Sequence, residues 1–259
     1  MPPIQAVTFD LWDTIVLDDS DEPKRTELGL PSKPEQRRIL VHESLSRHGA
    51  IDRQQVDTAY DATDAAFRQA WYGKNVTWTV TERLGLLLDK LDRTLPDGEF
   101  TELVRLHEEM ELEVKPELVP GAREAIEALK GVYRLGVISD AIFSPGRTLR
   151  QLLDHYSLLE HFDSLIFSDE IGCSKPDARA FEEAAADLRV PPETLVHLGD
   201  REEKDIGGPH QVGALGVLIR VACDRGGSDS RADAVCDDFA ELPEILEKLN
   251  SVAKGTRSQ

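Results

Sequence analysis

Four short clusters of reactive side chains stand far apart in this chain, three of them directly after a run of apolar residues. Asp10, Trp12, Asp13 and Thr14 follow Ile4-Gln5-Ala6-Val7-Thr8-Phe9, and Ser139 with Asp140 follows Val137-Ile138. Lys175-Pro176-Asp177, with Phe181 beyond it, comes after a similar run at 164–167, and Gly199-Asp200, with Asp205 five residues later, follows Leu195-Val196-His197-Leu198. A carboxylate in such a place can act as a nucleophile or hold a hard divalent cation, which prefers oxygen ligands. A hydroxyl and a lysine beside it can hold the oxygens of an anion. One Asp at the end of an apolar run carries little information; four such clusters in order carry a great deal.

The apolar runs at 4–9, 134–138, 164–167, 194–198 and 215–219 predict five buried strands of a parallel sheet. Between the later ones lie helical patterns at 121–130, 145–156 and 177–188 and a short one near 205–213. Strands alternating with helices predict a doubly wound α/β core, whose ligands bind at the carboxyl ends of the strands. The four clusters occupy those ends.

Residues 17–115 break the alternation, holding several helical patterns and no convincing strand, so they predict a helical insertion in a core made of 1–16 and 116–259. In 53–72, Val56, Ala59, Tyr60, Ala66, Phe67, Ala70 and Trp71 recur at helical spacing up to Gly73. Thr79 and Glu82 have the spacing of a capping box before Leu84, Leu87, Leu88 and Leu91, and a further helix is expected over about 97–112. Residues 18–33, charged and containing Pro and Gly, read as a loop, either a lid over the strand ends or a solvated connector. The end of the chain, 253–259, reads as a frayed tail.

With 259 residues, 40% hydrophobic and 31% charged, the chain has the composition of a globular protein of one large domain and a smaller companion. Its formal net charge of -19 opposes binding to a nucleic-acid backbone. A small anionic substrate is compatible with it, because a divalent cation and a few lysines reverse the potential inside one pocket. No stretch nears the roughly 20 apolar residues that cross a bilayer and no basic leader precedes the first strand, so no membrane association and a cytoplasmic address are expected. Cys173, Cys223 and Cys236 are too few and too widely spaced for a disulfide framework and are expected to be ordinary thiols.

In order and spacing the four clusters resemble the motifs of the haloacid dehalogenase-like superfamily. Phe9-Asp10-Leu11-Trp12-Asp13-Thr14 matches its Asp-x-Asp-x-Thr in all but one place. The resemblance implies a Rossmann-like α/β core with an inserted α-helical cap, and a magnesium-dependent hydrolase acting on a small phosphorylated metabolite. It implies that Asp10 is the nucleophile, forming an aspartyl-phosphate. Magnesium would then be held by the side chains of Asp10 and Asp200 and the backbone carbonyl of Trp12, with Asp205 helping through a water or by holding Lys175. The phosphoryl group would be held by Thr14, Ser139, Asp140 and Lys175.

One departure matters. Phosphatases of that superfamily carry, two residues after the nucleophile, an Asp that protonates the leaving group and later activates water; here that position is Trp12. Asp13 is one residue too far on and is expected to stabilise a turn instead. General acid–base help is worth about 10²- to 10⁴-fold, so its loss slows a phosphatase without abolishing attack. Three readings follow: a phosphatase whose leaving group needs no proton, a hydrolase of another bond, or a weakly active ligand-binding protein. The superfamily's 2-haloacid dehalogenases also carry an aromatic residue at this position, but they dispense with the metal and lack the acidic Gly-Asp motif that Gly199, Asp200 and Asp205 retain. Carbon–phosphorus cleavage would need a cap lysine, for which Lys74 is a candidate and a solvated surface lysine the plainer reading. The acidic stretch near Asp18 and Asp19 is one source from which a missing base could come.

Overall fold

The structure, a computed structural model, describes residues 2–225 and 230–255. Its centre is a six-stranded parallel sheet formed by β1 (Ala6–Phe9), β2 (Arg134–Ser139), β3 (Ser164–Phe167), β4 (Leu195–Gly199), β5 (Leu215–Ile219) and β6 (Ala234–Cys236), in the order β3-β2-β1-β4-β5-β6. Five strands fall where the apolar runs predict them. The sixth, three residues long, is too short to show as a pattern.

Between β1 and β2 the chain forms α1 (Glu22–Glu27), α2 (Lys33–Ser46), α3 (Arg53–Lys74), α4 (Val80–Lys90), α5 (Asp97–Glu108), α6 (Met110–Glu113) and α7 (Ala122–Leu129). After β2 come α8 (Gly146–His155), α9 (Ser168–Ile171), α10 (Ala178–Asp187), α11 (Gly207–His210) and α12 (Leu242–Gly255). A π-helical turn, Glu202–Ile206, leads into α11. Residues 18–33 are therefore not a plain loop: α1 lies within them, and α2 begins at Lys33. Ser32 caps α2 by accepting from the Glu35 amide, and Pro34 sits in its first turn, where a missing N–H costs nothing. The helix predicted to stop at Gly73 runs one residue further, ending where Asn75 turns left-handed at φ 52°. Thr79 and Glu82 do form the capping box of α4. The helix expected over about 97–112 is divided at Glu109 into α5 and α6. Of the predicted tail, 253–255 continue the backbone of α12 and 256–259 lie outside the described residues.

Successive β1 side chains face opposite sides of the sheet. Val7 and Phe9 join Val137, Val196 and Leu198 in a core closed by Ile126 of α7, Leu149 and Leu152 of α8, and Leu242 and Leu246 of α12. Ala6, Ile138 and Leu195 join a core on the other side with Phe181, Ala184 and Ala185 of α10. Helices on both faces of a parallel sheet make the fold the α/β, Rossmann-like one expected. A third core lies among the helices between β1 and β2, where Val41, Leu45, Val56, Tyr60, Leu84, Leu87, Leu88 and Leu103 pack together with Phe143 against them. Phe143 comes from the loop after β2, so this loop is anchored in the helices. No helix among the described residues is long and apolar enough to cross a membrane.

Candidate active site

Asp10 follows the last residue of β1, with its amide donating to Leu198 O of β4 at 2.7 Å. The strand end thus aims a side chain that is 6% exposed into the space above the sheet. Lys175 Nζ meets Asp10 Oδ1 at 2.7 Å and Asp205 Oδ1 at 2.6 Å. Lys175 comes from the loop after α9, where its amide donates to Asp140 Oδ1 at 3.0 Å and the Lys175–Pro176 bond is cis. Asp205 reaches the group from the π-helical turn, accepting from the Arg201 amide at 2.9 Å and lying 3.2 Å from His197 Nε2; His197 Nδ1 is 2.9 Å from Thr8 Oγ1. Gly199 makes room for this: a Cβ built there would stand 2.3 Å from Asp205 Cγ, so any side chain at the end of β4 would expel the carboxylate.

The charges shift one another as their spacing requires. Burial pushes Asp10 above the ordinary carboxylate range, with Asp205 and Asp200 adding to the push and Lys175 opposing it. Burial would lower Lys175, but Asp10, Asp205 and Asp140 hold it above its usual value. Asp205 ends below the usual range, because Lys175 and His197 overcome its burial. His197, with burial the largest influence, is lowered to about 4 and is neutral at pH 7.

Asp200, 2% exposed, is raised by burial and by Asp205, against the pull of Arg225 and Arg201. Its Oδ1 is buried with no hydrogen-bond partner, and Arg201 Nε stands 3.9 Å away. Asp10, Asp200 and Asp205 each offer an oxygen within 4.8 Å of the others. Three gathered carboxylates, one with an orphaned oxygen, suit a hard divalent cation better than Lys175 alone can satisfy them. Arg225 bridges Asp13 Oδ2 and Asp200 Oδ2 from the far side.

Asp13 has the turn role expected of it. It adopts φ 55°, and its Oδ1 accepts from the Asp18 amide at 3.0 Å. Asp10, Trp12, Asp140, Lys175 and Asp205 line one cavity of about 310 Å³, which also meets Asp18, Asp19, Lys33 and Arg37 from the start of the helical segment, Trp71 and Glu111 from further along it, and Lys204 from the π-helical turn. Thr14 and Ser139 are buried next to this chemistry, each with a hydroxyl lacking a partner, but neither forms part of the cavity wall. Lys74 is exposed at the end of α3 and does not line the cavity. The three cysteines are free thiols.

Several residues that no sequence motif marks complete the site. Lys204 donates to Asp140 Oδ2 at 2.5 Å while its ammonium lies 3.4 Å from the centre of the Trp71 ring. Lys33 is held by Asp21 at 2.7 Å, Asp19 at 3.2 Å and Glu111 at 3.5 Å. Arg37 lies 3.6 Å from Glu111 and 3.6 Å from the centre of the Phe143 ring. His197 stands out in the sequence as a lone histidine in an apolar strand, and Ser32-Lys33-Pro34-Glu35 carries helix-start chemistry. Nothing local marks Arg37, Glu111 or Arg225.

A family model described as haloacid dehalogenase-like hydrolase matches residues 4–213. The chain belongs to the haloacid dehalogenase-like hydrolase family. Two glyceraldehyde 3-phosphate phosphatases are among its relatives in this family. The one from Pyrococcus furiosus is 28% identical over 95% of this chain and 93% of its own length. The one from Methanothermobacter thermautotrophicus is 35% identical, but over 44% of this chain and only 51% of its own length, so that match spans about half of that relative. A 2-haloacid dehalogenase from Pseudomonas syringae pv. Tomato DC3000 has the same fold, with a TM-score of 0.66 at 20% identity over 95% of this chain and 99% of that one.

Proposed function

We propose that this hydrolase is a magnesium-dependent phosphatase for a small phosphorylated metabolite, working through an aspartyl-phosphate on Asp10. The observation that carries the reading is the buried group at the strand ends, in which Asp10 and Lys175 face a cavity beside Asp200 and Asp205. A metal-independent dehalogenase would have no use for the orphaned oxygen of Asp200 as a cation ligand. The names of the two phosphatase relatives agree with this choice, and the cavity volume suits a ligand of a few carbon atoms.

In this reading residues 17–115 act as a cap over a core formed by 1–16 and 116–259. Asp10 and Asp200, with the Trp12 carbonyl, would hold the magnesium, and Asp205 keeps Lys175 in place. The bound ion supplies charge neutralisation between the attacking carboxylate and the phosphoryl oxygens. Lys175 places a second positive charge at those oxygens, Asp140 fixes the Lys175 loop through its amide, and Thr14 and Ser139, buried just behind the cavity wall with partnerless hydroxyls, would join the grip only by turning toward the cavity. Asp10 attacks phosphorus as the leaving oxygen departs, and water then attacks the acyl phosphate and frees Asp10.

Acid quenching after mixing with acetyl phosphate and magnesium, followed by intact-mass measurement, tests this. The wild type is expected to gain one phosphoryl group and Asp10→Asn none, with turnover lower by roughly 10⁴-fold or more. A folded wild type that gains no phosphoryl group from any activated phosphate refutes the reading.

A further inference from the structure

With Trp12 where a carboxyl group would donate and accept the proton, full acid–base help has to come from another group facing the cavity, and its wall narrows the choice. Among the described residues that line it there is no His, Cys or Tyr. Its lysines are engaged, Lys175 by Asp10 and Asp205, Lys204 by Asp140, and Lys33 by Asp21 and Asp19, which leaves six carboxylates: Asp10, Asp18, Asp19, Glu111, Asp140 and Asp205. Asp10 is the nucleophile of the proposed reaction, and Asp205 is engaged by Lys175, His197 and the Arg201 amide. Asp140 accepts from Lys204 and from the Lys175 amide. Glu111 is taken by Ser144, Lys33 and Arg37, and Asp19 by Lys33. The Asp18 carboxylate has no hydrogen bond or ion pair among the described residues.

Its backbone is nonetheless fixed. The Asp18 amide donates to Asp13 Oδ1, the Leu17 amide donates to Glu117 O at 2.8 Å, and Val16 bridges to both Trp12 and Leu118. The short return of the chain after β1 therefore holds Asp18 at the wall of the cavity that Asp10 also lines. We infer that Asp18 is the acid and base of this site, replacing in space the carboxyl group that Trp12 lacks in sequence. This rests on the phosphatase reading above and adds a residue to it.

The proton balance closes. As Asp10 bonds to phosphorus and the ester P–O bond breaks, the Asp18 carboxylic acid gives its proton to the leaving oxygen and becomes a carboxylate. Asp18 then takes a proton from the attacking water as the new P–O bond forms, the acyl phosphate P–O bond breaks, and inorganic phosphate leaves with Asp18 protonated again. Its surroundings favour such exchange. Although its surface is open to the cavity, neighbouring protein crowds it, and this partial burial, with Asp19, Asp13 and Glu111 facing it and Lys33 opposing, raises it to about 6. An acid in that range gives and takes protons with little waste near neutral pH.

The test compares the wild type with Asp18→Asn and Asp18→Glu in the full chain, with magnesium, reading formation and decay of the phosphoryl adduct separately. With acetyl phosphate, whose leaving group needs no proton, Asp18→Asn is expected to form the adduct at nearly the wild-type rate. Its decay should be slower by about 100-fold and should lose a rise with pH centred near 6, while Asp18→Glu restores most of the rate. An alkyl phosphate should also lose adduct formation in Asp18→Asn. Because the carboxylate holds no partner, thermal midpoints should stay within a degree or two of wild type, separating chemistry from folding. Wild-type decay with an unchanged pH profile in Asp18→Asn overturns the Asp18 assignment and leaves the phosphatase standing; absence of any adduct in the wild type overturns both.

Discussion

The strand-end floor of the cavity and the helical wall facing it are both dense in charge, but they hold their cations by different means. In the floor, Lys175 lies between two carboxylates at 2.7 and 2.6 Å, and among the described residues its ammonium is stacked over no aromatic ring. In the wall, cations lie on rings as well as beside carboxylates: Arg37 stands 3.6 Å from the centre of the Phe143 ring, and Arg83, behind the wall, stands 3.9 Å from it on the helical side. Lys204 belongs to both, with Asp140 at 2.5 Å and Trp71 at 3.4 Å. A floor of buried opposite charges has few tolerable alternatives, because removing one partner strands the others away from water. A ring accepts a cation over a broad face, so the wall can shift to suit a substrate at modest cost.

The largest test of this contrast is Lys175→Met. It leaves Asp10 and Asp205 buried without their shared cation and is expected to destabilise the fold by about 3–5 kcal/mol, measured by urea unfolding at pH 7 without magnesium. A loss below about 1 kcal/mol would mean that the floor repacks as readily as the wall.

How much of each region can be read from the chain follows the same division. Asp10, Ser139, Lys175 and Asp200 sit at or just beyond strand ends or in a short loop after one, so an apolar run followed by a reactive residue marks them locally. Arg37, Glu111 and Phe143 come together because α2, α6 and the loop after β2 pack against one another, and no spacing within any one segment encodes that. The 18–33 stretch reads as a loop because its charge hides the Ser32 cap of α2. β6 leaves no trace in the sequence pattern because three residues cannot display a period. In the sequence Asp18 is only part of an acidic stretch; what distinguishes it from Asp19 is that Lys33 forms an ion pair with Asp19 and, among the described residues, none with Asp18, which is a tertiary fact.

The next test uses the one buried histidine in each region. His107, among the helices, is lowered to about 3, chiefly by burial, with Arg37 and Arg83 adding to it; His197, under the floor, is lowered to about 4. Both are neutral when folded at pH 5, whereas in the unfolded chain they take up a proton below about 6.5, so each contributes stability that is present at pH 7 and lost as pH falls. The loss should be about 2 kcal/mol per histidine by pH 5. Asp10 and Asp18, held above the ordinary carboxylate range, act in the opposite direction, so the measurement is the difference between proteins. His107→Gln and His197→Asn should each remove their own share of the change in unfolding free energy between pH 7 and pH 5. A variant with the wild-type dependence would show that its histidine is protonated in the fold.

The smallest expected effect is in the wall. Phe143→Leu keeps an apolar side chain among the helices but removes the ring between two guanidiniums, and should cost about 1–2 kcal/mol. Turnover of a small substrate should change mainly through KM, since the floor is untouched. A fall in kcat as large as that of Lys175→Met would show that the wall sets the floor's geometry and would dissolve the distinction.

The strand order has a consequence for how the protein is made. β1 is synthesised first, yet its neighbours in the sheet are β2 and β4, and the whole helical segment is translated before either of them. Contacts so distant in sequence form late. A growing chain thus carries β1 with two bare edges through all of those helices, and a ribosome stalled before Leu195 holds a strand that can pair on one side at most. Such truncated chains would be substrates for chaperones and proteases, prone to join edge to edge with one another, and would contain Asp10 without ever having made the place where it works.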